Sequence, residues 1–353
     1  MQVNQIQQNL IYRSSRYVVS GMDINDLNRI VPKVNSWEDW RLAVSEMAKE
    51  RRDLGHEAHD AGHRITAGEH FVSAAVYYHF AQLGYFENET KKRATAAESR
   101  AIHRLAFDLV DPPVQQLCVS FRGVQLLANV RVPRGIANAA SVILLPGADS
   151  TKEEMITFES VFHKRSLATV AFEGPGQGAV GETMPLIEDY ESAVATLINH
   201  LEAIPGIDSK RIGLYGRSLG GHLAPRVAAL ESRIRAVTSA GGFYDLGRWD
   251  EYSEQLKRFF CHAWGYEGLA EGAERAKRTT LDGLVGKIRC PFLILHSDSD
   301  PVVSGDEGRR MAAEATCDTK LVIYPEGDHV CDNIPYKYRP QVADWFADKL
   351  MQS

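Results

Sequence analysis

The chain has 353 residues, 44% hydrophobic and 24% charged, which is enough for one large core and an accessory domain. A net charge of −6 gives no basic field for nucleic acid, and no run of lysine or arginine substitutes for one. No apolar segment reaches membrane-spanning length and Met1–Asn9 lacks a charged-then-apolar leader pattern, while the five scattered cysteines without a C-x-x-C pair read as free thiols in a reducing cytoplasm.

Before Asp111-Pro112-Pro113 the apolar residues recur at three- and four-residue spacing. This predicts helices over Trp37–Leu54, Ala67–Leu83 and Glu89–Leu109, and so a helical domain over residues 1–112. Within it His56, His59 and His63 are spaced to share one helix face. A zinc site is one reading of them, but position 60 of the H-E-x-x-H pattern is Asp and no distant fourth ligand stands out. A solvated or packing face is the better expectation, and no metal is expected. Residues 113–353 alternate strands with helices. The strands are expected at Gln116–Phe121, Val124–Val132, Ser141–Leu145, Ala168–Phe172, Arg211–Tyr215, Arg235–Ser239, Phe292–His296 and Leu321–Tyr324. The helices are expected at Lys152–Lys164, Leu186–Ile204, Leu219–Leu230, Asp306–Glu314 and Tyr336–Met351. The first two strands are close enough for a hairpin, and the helical crossovers imply parallel pairing in an eight-stranded, mostly parallel α/β sheet. An insertion at about 243–287 breaks the rhythm. It is rich in aromatic residues (Trp249, Tyr252, Phe259, Phe260, Trp264, Tyr266), most of which are expected to pack a core of their own.

Arg211–Gly221 reads as an apolar strand ending in Gly216-Arg217-Ser218-Leu219-Gly220, a G-x-S-x-G turn that opens a helix. Such a turn strains its serine, and the flanking glycines let strand and helix pass closely. Ser218 is therefore the candidate nucleophile. The Leu219 amide, at the helix N-terminus, is a candidate donor to a developing oxyanion. The order serine, acid, histidine is completed downstream by Asp300, just past the strand Pro291–His296, and by His329, past the strand Lys320–Tyr324. Asp298 competes with Asp300 for the acid. Asp300 is preferred because Asp300-Pro301-Val302-Val303 continues as a turn into the next helix. Cys331, beside His329, has no strand-turn-helix presentation as a nucleophile. The turn Glu173-Gly174-Pro175-Gly176-Gln177-Gly178 has neither a Lys-Ser/Thr ending nor G-x-G-x-x-G spacing, so a nucleotide loop is not expected.

These pieces resemble a known family. Together with the Ser218-Asp300-His329 order, the chain is similar to the 2,6-dihydroxypseudooxynicotine hydrolase group through Trp37–Trp40, Ala67–His70, Tyr77–Gln82, Pro146–Glu154 and Glu173–Gly178. That group joins a helical N-terminal lid to an α/β-hydrolase core and includes relatives that shorten fungal polyketides. A more distant likeness is to the FrsA-type esterases. The resemblance implies an α/β-hydrolase fold, a second oxyanion donor at the Ala148 amide, a homodimer and no cofactor. It also suggests a catalytic role for Asp149, where the nicotine-pathway enzyme carries an assisting glutamate. The competing reading of Asp149 is a cap on a helix beginning at Thr151-Lys152.

The expected activity is hydrolysis of a carbon–carbon bond in an aryl ketone or β-diketone, in heterocycle catabolism or polyketide processing. The alternative is an ester or thioester hydrolase, or an acyl-transferring cyclase, using the same residues. A ligand-binding receptor on a retired hydrolase fold is disfavoured by the intact Ser-His-Asp set. The expected partner is a small ketone or ester.

Overall fold

The computed structural model describes residues 4–351 and divides into two compact units. One runs to Gln115 and takes in Glu153–Phe158; the other comprises Gln116–Lys152 and the chain from Glu159 onward.

The first unit is helical: α1 (Gln5–Tyr12), α2 (Ser14–Ser20), α3 (Ile24–Ile30), α4 (Trp37–Asp60), α5 (Arg64–Gln82) and α6 (Glu89–Leu105). A reciprocal cap starts α4: the Ser36 hydroxyl accepts from the Asp39 amide and the Asp39 carboxylate accepts from the Ser36 amide, each at 3.0 Å. Trp40, Val44 and Ala48 then bury one stripe, and the Trp40 indole donates to the Phe80 carbonyl at 2.8 Å. Gly55 is obligatory for the α4–α5 approach, because a β-carbon there would lie 2.6 Å from the Phe71 ring. The three-histidine face does not form. Helix α4 ends at Asp60, Gly62 turns the chain at φ 80°, and His63 sits outside both helices. His56 instead packs edge-on against Phe71 at 5.1 Å.

The second unit is built on one sheet of eight strands: β1 (Gln115–Phe121), β2 (Val124–Arg131), β3 (Ala139–Leu145), β4 (Ala168–Glu173), β5 (Ile207–Arg217), β6 (Ile234–Ala240), β7 (Phe292–Ser297) and β8 (Thr319–Tyr324). Their spatial order is β1-β2-β4-β3-β5-β6-β7-β8. Arg122 (φ 46°) and Gly123 (φ 85°) supply the two left-handed positions of a tight β1–β2 turn. Strand β2 pairs antiparallel with β4, and every pairing from β4 through β8 is parallel. Strands β3, β4 and β7 are buried along their whole length, as their unbroken apolar runs anticipate for parallel strands covered on both faces.

The helices between the strands are α7 (Ile156–His163), α8 (Gly178–Gly181), α9 (Tyr190–Leu201), α10 (Leu219–Leu230), α11 (Glu254–Trp264), α12 (Leu269–Ala276) and α13 (Gly305–Glu314), and α14 (Pro335–Met351) follows the last strand. Two start later than the periodicity predicts. Residues 152–155 form a turn because their charges are buried in specific pairs: Lys152 with Glu173 at 3.0 Å, and Glu154 with Arg16 at 2.8 Å and His79 at 3.2 Å. The Leu186 amide is taken by the Ala263 carbonyl at 2.7 Å, so α9 waits until Tyr190. In the 243–287 interval the aromatic rings pack on one another. Phe260 stacks on Trp264 at 5.6 Å, Trp249 lies 5.7 Å from Trp264, and Phe243 meets Phe260 at 5.5 Å. No helix among the described residues is long and apolar enough to cross a membrane.

The glycines after Ser218 set how closely α10 approaches the sheet. A β-carbon on Gly220 would collide with the Leu145 carbonyl oxygen and lie 2.7 Å from that of Pro146. Gly220→Ala is therefore expected to cost about 1–3 kcal/mol by overpacking. Gly286→Ala, where a β-carbon would meet only the Glu314 carbonyl at 3.6 Å, should stay within about 0.5 kcal/mol of the parent. Urea midpoints measure both, and equal midpoints would contradict this account of the turn.

Candidate active site

Ser218 stands between β5 and α10 with φ 54° and ψ −116°, a conformation that a residue with a β-carbon rarely adopts. Its amide donates to the Ala240 carbonyl at 2.9 Å, which fixes the turn to β6. The hydroxyl lies 2.9 Å from Nε2 of His329, and Nδ1 of that ring lies 2.8 Å from Oδ2 of Asp300. The other Asp300 oxygen accepts from the amides of Val302 and Val303 at 2.7 and 3.0 Å. Burial alone would push the Asp300 carboxyl up. The facing His329 and the two amides outweigh it and hold the group below the usual carboxylate range. An ionised Asp300 keeps the His329 proton on Nδ1, which leaves the Nε2 lone pair to accept from the Ser218 hydroxyl.

The structure thus brings Ser218, His329 and Asp300 together and leaves Asp298 outside. Asp298 pairs with Arg309 at 2.8 Å and its side chain is 46% exposed. The loops that carry Asp300 and His329 are tied to each other. The Ser297 hydroxyl donates to the Gly327 carbonyl and accepts from the Ser299 amide at 3.0 Å, and the Ser299 hydroxyl donates to the Pro325 carbonyl at 2.6 Å. The Cys331 thiol is buried against Gly327, and burial with neighbouring carboxylates pushes its pKa far up, away from the thiolate form that a nucleophile needs.

The loop after β3 passes directly beside the serine. A β-carbon on Gly147 would lie 3.3 Å from Cβ and 3.7 Å from Oγ of Ser218. Ala148 and Asp149 follow as a half-buried turn. Helix α7 begins only at Ile156, so the helix start expected at Thr151 is absent and a turn over residues 152–155 follows Asp149 instead. The turn after β4 supports this loop. The Gln177 amide donates to the Pro146 carbonyl at 2.8 Å, and its Oε1 accepts from the Gly174 amide at 3.3 Å and the Tyr190 hydroxyl at 2.5 Å. Glu173 accepts from the Lys152 ammonium at 3.0 Å and from the amides of Lys152 and Ala179 at 3.1 Å each. Its glycines serve close packing around that carboxylate, since a β-carbon on Gly178 would overlap the Glu173 side chain. Sequence reasoning passed over Gln177, Glu173 and Lys152. The available signal was a Glu and a Gln set among glycines at the end of an apolar strand, where polar groups must find partners.

Two histidines near this centre are buried. Burial lowers the pKa of His296, at the end of β7, and of His222, on α10, to about 4 each. A folded-state pKa below the unfolded value of about 6.5 means the unfolded chain binds more protons in this window. Stability is therefore full above about pH 6.5 and is lost as pH falls toward 4, by about 3 kcal/mol per histidine. His222→Gln is expected to flatten the fall of Tm between pH 6.5 and 4, measured by calorimetry. A slope identical to the parent would contradict the assignment.

Comparison with known proteins follows the same lines. Residues 43–351 match the family described as "Esterase FrsA-like". The chain is 31% identical to "2,6-dihydropseudooxynicotine hydrolase" of Paenarthrobacter nicotinovorans over 95% of this chain and 91% of that one. The crystal structure of 2,6-dihydroxy-pseudo-oxynicotine hydrolase superposes with a TM-score of 0.88 at 30% identity, covering 96% of this chain and 95% of that one. A fungal relative, "Hydrolyase poxO" of Penicillium oxalicum, is 30% identical over 64% of this chain but only 57% of its own length.

Proposed function

The chain belongs to the FrsA-like family of α/β-hydrolases, and from that membership we propose that it is a serine hydrolase cleaving the carbon–carbon bond of an aryl ketone or β-diketone. The observation that carries the serine-hydrolase part of the reading is the Ser218–His329–Asp300 line, with links of 2.9 and 2.8 Å, on a serine held at φ 54°. In the proposed reaction Ser218 gives its proton to His329 and attacks the carbonyl carbon. The amides of Leu219 and Ala148 stabilise the oxyanion. Collapse breaks the bond to the leaving carbon, whose electron pair takes the proton from His329. Water activated by the same imidazole then releases the acyl group from Ser218.

The leaving group restricts the substrate. Each pKa unit is worth about 1.36 kcal/mol, so a carbanion ~20 units more basic than an alkoxide adds on the order of 27 kcal/mol to the barrier. Enzymes typically supply roughly 8–23 kcal/mol in all. The substrate must therefore stabilise its own leaving carbon, as a β-diketone or an acyl group on a hydroxylated ring does once it has tautomerised. The name of the Paenarthrobacter relative, similar over nearly the whole chain, supports a substrate of this kind. Asp149 is assigned the ring-hydroxyl proton during tautomerisation. Its position directly after Ala148 supports this role. The description "Esterase" of the matching family favours a second reading, hydrolysis of an ester or thioester, or transfer of its acyl group, by the same residues. On either reading the substrate is a small molecule. A cytoplasmic homodimer is the accompanying proposal, tested by sedimentation and fractionation.

A panel of p-nitrophenyl esters, acyl-hydroxypyridines and β-diketones separates the two readings. Ketone cleavage is expected, and fast ester turnover with none would remove the leading reading. Ser218→Ala should lower every activity by about 10³-fold or more. Asp149→Asn should slow ketone cleavage on the order of 10²-fold while leaving ester cleavage within about tenfold. Equal losses on both would give Asp149 a structural role.

A further inference from the structure

Arg217, the first of the two variable residues of the Gly216-Arg217-Ser218-Leu219-Gly220 turn, reaches away from the serine to a buried partner. Its Nη2 donates to Oδ2 of Asp332 at 2.7 Å, with the two side chains only 8% and 2% exposed. The Tyr338 hydroxyl is 3.4 Å from the other Asp332 oxygen, and Nε of the buried Arg339 is 3.4 Å from that hydroxyl. Asp332 lies three residues after His329. The two residues between them, Val330 and Cys331, have φ of 63° and 61°. Two consecutive left-handed residues, one of them β-branched, relax unless the chain is held at both ends. The His329 end is held by side-chain hydrogen bonds that the proposed chemistry must exchange, by Asn333, which accepts from the Asp328 amide and donates to the Glu326 carbonyl at 2.8 Å each, and by Ser297 on the Gly327 carbonyl. None of these bonds beyond His329 itself reaches the Ser218 turn. The Asp332 end is held by Arg217, whose own backbone is fixed in β5 opposite Ala240 and is one peptide bond from Ser218.

Buried ion pairs contribute little net stability, because desolvation offsets their attraction. What this pair does supply is a fixed distance between the nucleophile turn and the histidine loop. We propose that Arg217 and Asp332 are positioning residues that hold the strained His329 loop so that Nε2 stays within hydrogen-bond reach of Ser218 Oγ. The inference rests on the reading of Ser218 and His329 as nucleophile and base. It adds that their spacing is set by a charge pair outside the reacting groups, through a residue of the nucleophile motif itself.

The test replaces both charges with apolar groups, Arg217→Met with Asp332→Leu, so that no lone charge is left buried. Tm is expected within about 3 °C of the parent. On whichever substrate the parent turns over, kcat should fall on the order of 10²-fold with KM within about threefold, as for a reacting pair pulled out of register. Phosphonylation of Ser218 by a fluorophosphonate should slow by the same factor. Arg217→Lys, which keeps the charge but not the planar fork, should lie between the two in kcat and labelling rate. If the double variant does not fold, the labelling rate of Arg217→Lys decides alone. Parental kcat and labelling in a folded double variant, or parental labelling in Arg217→Lys, would overturn the proposal. No Ser218 labelling in the parent would instead overturn the nucleophile reading beneath it.

Discussion

The constraint on which the site depends is the close passage of β5, α10 and the end of β3 around Ser218. A serine at φ 54° and ψ −116° persists only where its surroundings leave no alternative. Here its amide is bonded to Ala240, and Gly216 and Gly220 have no room for a side chain between the strand end, the helix start and the Leu145–Pro146 carbonyls. The same absence of β-carbons brings Gly147 against the serine. One steric solution therefore sets both the exposure of the hydroxyl and the course of the loop carrying Ala148 and Asp149. In an eight-stranded sheet covered on both faces, these are the ends of two adjacent parallel strands, where the chain is free to leave the ladder with rigid backbone behind it.

Charge, rather than apolar packing, holds the loops around that point. Lys152–Glu173 at 3.0 Å and Arg217–Asp332 at 2.7 Å are both buried. The first stands behind the loop after β3, and the second lies between the Ser218 turn and the His329 loop. Neither is an efficient source of stability, since the core formed by β3, β4, β7 and the helices that cover them buries far more apolar surface. Each has a directional geometry that an apolar contact lacks. Glu173 is saturated by an ammonium and two amides, and Gln177 uses its amide N–H and its oxygen within the same turn. Fully partnered polar groups of this kind specify one arrangement of neighbouring loops, which is what a site assembled from separate loops needs.

The fold and the central residues were legible because their signals are local. Buried parallel strands are short apolar runs, the elbow is five consecutive letters, and Asp300 and His329 each follow a strand. The choice between Asp300 and Asp298 was only half legible, because the two differ in which way a loop side chain faces. Lys152–Glu154 reads as the polar face of a helix starting early, yet these charges are buried in pairs with residues far along the chain, and the helix begins at Ile156. His63 kept helical spacing, but Gly62 had already turned the chain. The short helices α1 to α3, of seven or eight residues each, carry too few turns for periodicity to reveal them. Gln177 and Arg217 were invisible as supports because their partners lie 31 and 115 residues away.

The Ser218–His329–Asp300 line by itself does not choose between ester and carbon–carbon cleavage, because both pass through the same oxyanion. The choice has to lie in groups that act on the rest of the substrate. Esters need nothing more, since an alkoxide leaves with one proton from the imidazole. On the proposed reading, a carboxylate on the loop that would cradle the oxyanion is a cost to ester chemistry, because like charges in a partly buried site repel. Asp149 directly follows Ala148 on that loop, which Gln177 and Lys152 hold in place. On the proposed reading this apparent liability becomes an asset. A carboxyl group that takes the ring-hydroxyl proton and returns it to the acyl-bearing ring carbon lets the substrate become a ketone before attack, and only then is the departing carbon a tolerable leaving group.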